Sequence, residues 1–484
     1  MKRPLDLRHV TSLAARDLIE LVHLDRFDRL NEQIRQVRGC TRPVNLAGHT
    51  ETRDAATGAV LRSYSTTDEP TGRLLTACGN RRASRCPSCS RVYAADTYHL
   101  IHAGLCGGKS VPSTVSAHPR AFVTLTAPSF GPVHNRPTTA TGKVLDCRCG
   151  DRHPTDDPAL GTPLDPASYD YAGAVLWNAH AGTLWARFTT YLRRELAAHL
   201  GMTQKALHAA LRVSFAKVAE YQKRGLVHFH AVVRLDGPEG HTTEPPGWAT
   251  TDALEYAVRQ ATKRARLTVA ADAIGEREIT WGDRIDVREI TGLGDGELTD
   301  RRVAAYIAKY ATKSAEDSGT VDRSLVCRPC GGRGYTRGPD GFRDLCGDCE
   351  GTGTSEPLTA LPVHRHVRQM IRTAWDLGHL PEFADLKLWK WAHMLGFRGH
   401  FSTKSRRYST TLGALRDQRR AWQRDRHASH AGLGLPAETD STLVVSAWSF
   451  LGTGYSPGEE LLAAQVRHER AVAEQFKHEG GDQE

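Results

Sequence analysis

The sequence predicts an α+β protein in which helices pack on an antiparallel sheet, and three features carry that expectation. Two strand-like runs, LRVSFAKVAEYQ and LVHFHAVVRLD, are separated only by the tight turn KRG, which makes them a hairpin. A convincing amphipathic helix over 174–196 precedes this hairpin, and a second helix over 252–267 follows it. Further strands flank the set: AFVTLTAPSF at 121–130, closed by Pro128 and Gly131, and WGDRIDVREI at 281–290.

The rest of the chain is placed around that centre. Residues 13–37 read as a helix with apolar positions at helical spacing, and a cysteine-bearing, turn-rich region runs to about 118. Residues 131–170, rich in Pro, Asp and Thr, form a long excursion. LTDRRVAAYIAKYATKSAE reads as a helix with Thr299 or Asp300 as its N-cap. After a second cysteine cluster the chain is expected to end in helices rich in Trp and Arg, with KHEGGDQE as an unstructured tail. The implied segments are 1–118, 119–316, 317–356 and 357–484.

Composition narrows the class. A chain of 484 residues suits two to four units, and 39% apolar content is enough for real cores. No apolar segment follows the charged start MKRPLDLRHV, and no apolar run is long enough to span a bilayer. A cytoplasmic protein with no membrane partner is therefore expected. The formal charge of +9 suits an anionic partner such as a phosphate backbone. Arginines crowd residues 398–426 and alternate there with Phe397, Phe401, Tyr408 and Trp422, as in a nucleic-acid groove. Arg398, Lys404, Arg406 and Arg407 are the expected DNA contacts from this stretch.

His228 and His230 alternate along one strand, so both imidazoles leave the same face while Phe229 turns into the core. Two neighbouring imidazoles aimed at solvent make half of a divalent-metal site. Glu220 or Gln222, on the partner strand, can complete it. On the later helix Tyr306, Lys309, Tyr310 and Lys313 fall at i, i+3, i+4 and i+7, a single stripe. Lysines would be desolvated in a core, whereas two phenols and two ammonium groups suit a phosphate. The apolar positions Val303, Ala304, Ile307, Ala308 and Ala311 lie elsewhere and can bury against a sheet.

Taken together, HFH upstream and YIAKY downstream resemble the HUH endonucleases, in which U is a hydrophobic residue. The order also speaks: conjugative relaxases usually place the tyrosine before the histidine pair, and replication initiators place it after. CGNRRASRCPSC (78–89), FVTLTAPSFGP (122–132), QKRGLVHFHAVVRLDG and WAHMLGFRGHFSTKSRRYSTTLGALR (391–416) are similar to actinobacterial plasmid replication initiators. The resemblance implies an HUH core with a ferredoxin- or RRM-like sheet, and a rolling-circle initiator that nicks origin DNA, single-stranded at the nick. His228 and His230, with Glu220, would hold Mg²⁺ or Mn²⁺; imidazole donors leave the choice of ion open. A tyrosine would attack to give a 5′-phosphotyrosine link and a free 3′-OH. Tyr310 matches the position kept in single-tyrosine initiators, Tyr306 would act in the second transfer, and Lys309 would assist, while Lys313 on the same stripe is an expected DNA contact. A host helicase and DNA polymerase are the implied partners. An HUH-type transposase and a non-catalytic zinc-ribbon DNA-binding regulator are the alternatives.

Eleven cysteines clustered in CxxC pairs point to metal rather than disulfides. Cys327, Cys330, Cys346 and Cys349 flank a Gly-rich turn in the pattern of a zinc ribbon. Cys86 and Cys89, with Cys78 and Cys40, make a second structural Zn²⁺ candidate. Cys147, Cys149 and His153 suggest part of a third, with no fourth ligand evident. AGLCGGKS at 103–110 fits a relaxed phosphate-loop pattern, but a helix rather than a strand precedes it, which argues against ATP binding.

Overall fold

The computed structural model describes residues 5–290, 299–312, 319–431 and 442–481. The chain forms two compact units, one of Met1–Asp96 with Leu412–Glu484 and one of Thr97–Thr411. Both ends of the chain therefore meet in a single unit, where the sequence suggested separate terminal segments. In chain order the elements begin with α1 (Leu13–His23), α2 (Phe27–Gln36), β1 (Val44–Asp54), β2 (Val60–Ser65), β3 (Leu74–Thr76) and α3 (Pro87–Cys106). Next are β4 (Arg120–Leu125), α4 (Tyr171–His199), α5 (Gln204–Ala210), β5 (Arg212–Tyr221), β6 (Val227–Asp236) and α6 (Thr251–Arg264). They are followed by β7 (Arg266–Ala271), β8 (Gly275–Thr280), β9 (Ile285–Glu289), α7 (Asp300–Ala311), β10 (Tyr335–Arg337) and β11 (Arg343–Leu345). The last are α8 (Arg365–Leu377), β12 (Ser402–Lys404), α9 (Leu412–Ala431), β13 (Thr442–Thr453) and α10 (Pro457–Gly481).

In the first unit, β1 pairs antiparallel with β13, β2 and β3. The single helix expected over 13–37 is instead two, because Asp25 adopts a left-handed φ of 54° between them. The helical ending expected for the chain is interrupted by β13, which pairs with β1 from Val44 to Asp54. That partner lies at the far end of the sequence, beyond the reach of any local pattern. The backbone of α10 also runs to Gly481, so most of the tail read as unstructured is helical. Leu30, Ile34 and Val37 pack with Leu462, Ala463 and Val466 as the core of this unit.

In the second unit a five-stranded sheet has the order β12-β5-β6-β4-β9, with every neighbour antiparallel. Strand alternation sends Phe229, Ala231 and Val233 to one face, where they join buried residues of α4 and α6 such as Trp177, Leu184, Leu254 and Val258. His228 and His230 leave by the opposite face, where the Tyr306 ring of α7 meets Phe122 of β4. The hairpin turn closes through Gln222 N–H to Leu226 O at 2.8 Å. Gly225 takes φ 74° there, and a Cβ on it would meet Met370 Sδ at 2.7 Å, so glycine is required. Thr299 is the N-cap of α7, its side chain accepting from Arg302 N.

One polar side chain intrudes on the core face. Lys217 is 5% exposed, and its Nζ lies 3.8 Å from the centroid of the Phe229 ring. Burial pushes its pKa down to about 7, against about 10.4 in an unfolded chain. Between those values the unfolded state holds a proton that the folded state releases, so stability rises with pH across the window and is lost as pH falls towards 7. Lys217→Met is expected to stabilise the protein at pH 6 by about 2–4 kcal/mol and to flatten that rise. Denaturant melts at pH 6 and pH 9 check both.

Candidate functional site

Register builds the site. Glu220 lies opposite His228, and Val218 opposite His230, so the carboxylate and both imidazoles share one face of the hairpin. Glu220 Oε2 is 3.0 Å from His228 Nε2 and 3.2 Å from His230 Nε2, and the two nitrogens are 3.2 Å apart. Donors about 2.1 Å from an octahedral ion lie about 3 Å apart when adjacent, so this triangle has the size of one face of such a coordination shell. The donor set, two imidazoles and a carboxylate, suits a divalent cation. Burial opposes the charge on Glu220, but hydrogen bonds from His228 and His230 outweigh it and bring the carboxyl down to about 2. Burial lowers the pKa of His230 and so favours the neutral imidazole that a cation requires.

Of the two expected partners, Glu220 joins this cluster and Gln222 does not; Gln222 accepts from Arg224 Nε at 2.8 Å in the turn. His230 does not face solvent as expected. It is 4% exposed and lies beneath α7, because Val303, Ala304, Ile307, Ala308 and Ala311 are buried and hold the helix down. Two side chains that sequence reasoning missed orient it. Thr124 Oγ1 meets His230 Nδ1 at 3.1 Å, and Phe122 stacks on the ring with centroids 5.7 Å apart. Both sit at alternate positions of β4, a periodicity legible in AFVTLTAPSF.

Tyr306 and Tyr310 reach the same cluster from α7. The Tyr306 hydroxyl is 3.1 Å from His230 Nε2. The rings of Tyr306 and Tyr310 lie 4.5 Å apart, and that of Tyr310 is 5.8 Å from His230. Burial, then the neighbouring Tyr310 and the charge on Glu220, push the Tyr306 phenol well above its usual range. Lys309 is exposed, with Nζ 5.7 Å from the centroid of Tyr310. Lys313 lies outside the described residues.

Both four-cysteine sets converge. Cys40 Sγ is 3.8 Å from Cys86 and 3.7 Å from Cys89, while Cys78 is 3.7 Å from Cys89. Cys327–Cys346 and Cys330–Cys349 are separated by 3.8 and 3.7 Å. Thiolates about 2.3 Å from a tetrahedral zinc ion lie about 3.8 Å apart, so both sets could hold zinc.

The arginine-rich stretch behaves differently from its expectation. Phe397 and Tyr408 are fully buried and Phe401 nearly so, leaving no platform for bases among these three rings. The ammonium of Lys404 donates to the carbonyls of Ser405, Arg406 and Ser409, and burial lowers its pKa. It therefore shapes a turn rather than facing a ligand. Arg407 pairs with Glu239 at 3.2 Å, while Arg398 and Arg406 are exposed. At 103–110, α3 leads directly into Gly107 and Gly108 with no preceding strand, unlike a phosphate loop. No helix among the described residues is long and apolar enough to cross a membrane.

The unit is thus an antiparallel sheet that gathers cation donors and two phenols at one point. A family model described as "RepSA: Replication initiator protein, pSAM2" matches residues 26–468. A "Replication initiator protein" of Streptomyces ambofaciens is 47% identical over 480 residues, covering 96% of this chain and 97% of that protein. The chain belongs to the replication initiator family. No solved structure matches.

Proposed function

We propose that the chain is an HUH endonuclease that starts rolling-circle replication of a plasmid by nicking one strand of its origin DNA. The carrying observation is the meeting of Glu220, His228 and His230 with Tyr306 and Tyr310 at one point. With α5 and the β7–β8 hairpin as insertions, the connectivity β4–α4–β5–β6–α6–β9 and the order β5-β6-β4-β9 match a split β-α-β arrangement of ferredoxin type, which supports reading this unit as the nuclease core.

Glu220, His228 and His230 would hold Mg²⁺ or Mn²⁺, and an ion bound there would polarise the scissile phosphate. The Tyr310 oxygen attacks phosphorus as the bond to the 3′ oxygen breaks. The products are a 5′-phosphotyrosine and a free 3′-OH from which a host polymerase extends. Tyr306 takes the second transfer, and Lys309 balances phosphate charge. Zn²⁺ in the two four-cysteine sets would stiffen DNA- or partner-facing loops, and the exposed Arg398 and Arg406 are basic side chains that could meet DNA. Unwinding falls to a host helicase.

Purified protein with Mn²⁺ is expected to nick supercoiled plasmid carrying the origin and to stay on the 5′ end. Replacing both His228 and His230 with Ala should abolish nicking while retaining origin binding in a gel-shift assay. Unchanged nicking by that variant would sink the reading.

A further inference from the structure

We propose a third zinc site, with two thiolate and two imidazole donors, formed by His134, Cys147, Cys149 and His153. One donor atom from each lies within 4.8 Å of the others. His134 Nδ1 is 3.2 Å from His153 Nε2, and Cys149 Sγ is 3.3 Å from the same nitrogen. Around a tetrahedral zinc with bonds of about 2.05 Å to nitrogen and 2.3 Å to sulfur, those separations are about 3.4 and 3.6 Å, so the donors need only a small outward adjustment.

The surroundings are those of a ligand set. His153 Nδ1 is held by Asp157 Oδ2 at 2.8 Å, which leaves Nε2 aimed at the cluster, the carboxylate–imidazole arrangement that supports zinc. Cys147 Sγ accepts from the Asn135 backbone N–H at 3.4 Å, and Cys147 N–H donates to Asp151 O at 2.8 Å, closing a knuckle around the CRC pair. Cys149 also approaches Asp151 Oδ2 at 3.8 Å. Cys147 and His153 are buried, although no helix or strand is present between β4 and α4 to supply an ordinary core.

A role follows from where this excursion lies. Lys223 Nζ donates to Thr155 O at 2.7 Å, and Arg224 donates to the carbonyls of Pro128 and Ala127 at 2.9 and 3.0 Å. A Cβ on Gly161 would stand 2.4 Å from the carbonyl carbon of Lys223. The excursion therefore packs against the turn that joins Glu220 to His228. Zinc held by these four residues would stiffen that turn and help keep the carboxylate opposite the imidazole.

The test is a zinc count by plasma mass spectrometry on the full chain, purified with zinc and dialysed against metal-free buffer. The background carries His228→Ala and His230→Ala, so that the strand pair contributes no ion. Three zinc ions per chain are expected, two at the four-cysteine sets and one at the His134, Cys147, Cys149 and His153 set. His134→Ala should remove one ion, and His134→Cys, which restores a donor, should keep all three. Cobalt substitution should add a visible band that His134→Ala abolishes and Cys330→Ser leaves in place. An unchanged count in His134→Ala overturns the proposal. Absence of that cobalt band from the background protein also overturns the proposal, even if His134→Ala does not fold, and the test is independent of the nuclease reading because no activity is measured.

Discussion

Tyr310→Phe is expected to eliminate the covalent protein–DNA adduct and to lower strand nicking by about 10³-fold or more, whereas Tyr306→Phe should still cut once. The substitution removes only the oxygen that would form the bond to phosphorus. The volume of the ring is kept, and the anchors of α7 are other residues, chiefly Val303, Ala304, Ile307 and Ala308. The Tyr306 hydroxyl is on His230, and burial together with Tyr310 and Glu220 raises its pKa. A phenol that gives up its proton less readily than usual is the poorer first nucleophile, in keeping with a role in the second transfer. Denaturing gels of 5′-labelled origin strands, read for adduct and for rejoined product, separate the two roles. Adduct formation by Tyr310→Phe but not by Tyr306→Phe would reverse the assignment. Full adduct from both variants would remove the tyrosines from the chemistry.

The second large effect concerns the seating of α7. Arg120, on the same face of β4 as Phe122 and Thr124, is 3% exposed. Its guanidinium pairs with Asp300 at 3.1 Å and donates to the carbonyls of Leu105 at 2.6 Å and Ile290 at 3.3 Å. Asp300 is the first residue of α7 and is itself buried, so this pair locks the start of the tyrosine helix onto the sheet. Arg120→Ala takes this donor from a buried carboxylate and from the carbonyls of Leu105, Ile290 and Val115, and should cost about 3–5 kcal/mol. Adding Asp300→Ala should recover part of that loss, because the stranded charge is then gone. Urea melts of the two single variants and the double variant measure the coupling. Additive losses would mean that the pair contributes nothing as a pair.

Much of the site was legible because it obeys short periods. A two-residue alternation put His228 and His230 on one face, and helical spacing put Tyr306 and Tyr310 on one stripe. A turn of three residues fixed the hairpin register closely enough to make Glu220 a candidate. The CxxC spacing marked the cysteines that the fold brings together in the same way. Each of these signals lies within one or two adjacent elements.

What the fold decided depends on residues that are distant in the chain. The choice of Glu220 over Gln222 came from where the strand ends and the turn begins. His134 could not be read as a donor, since nothing local distinguishes it from a surface histidine until the excursion folds back on itself. The aromatics at 397–408 looked like a base-stacking surface because interleaved arginine and aromatic residues read alike in a groove and over a core. Their burial was settled by tertiary packing. Strand β13 was invisible for the same reason, its partner β1 lying at the other end of the chain. Local periodicity is set by backbone geometry and survives in the sequence, whereas burial and long-range pairing arise only when distant segments exclude water from each other.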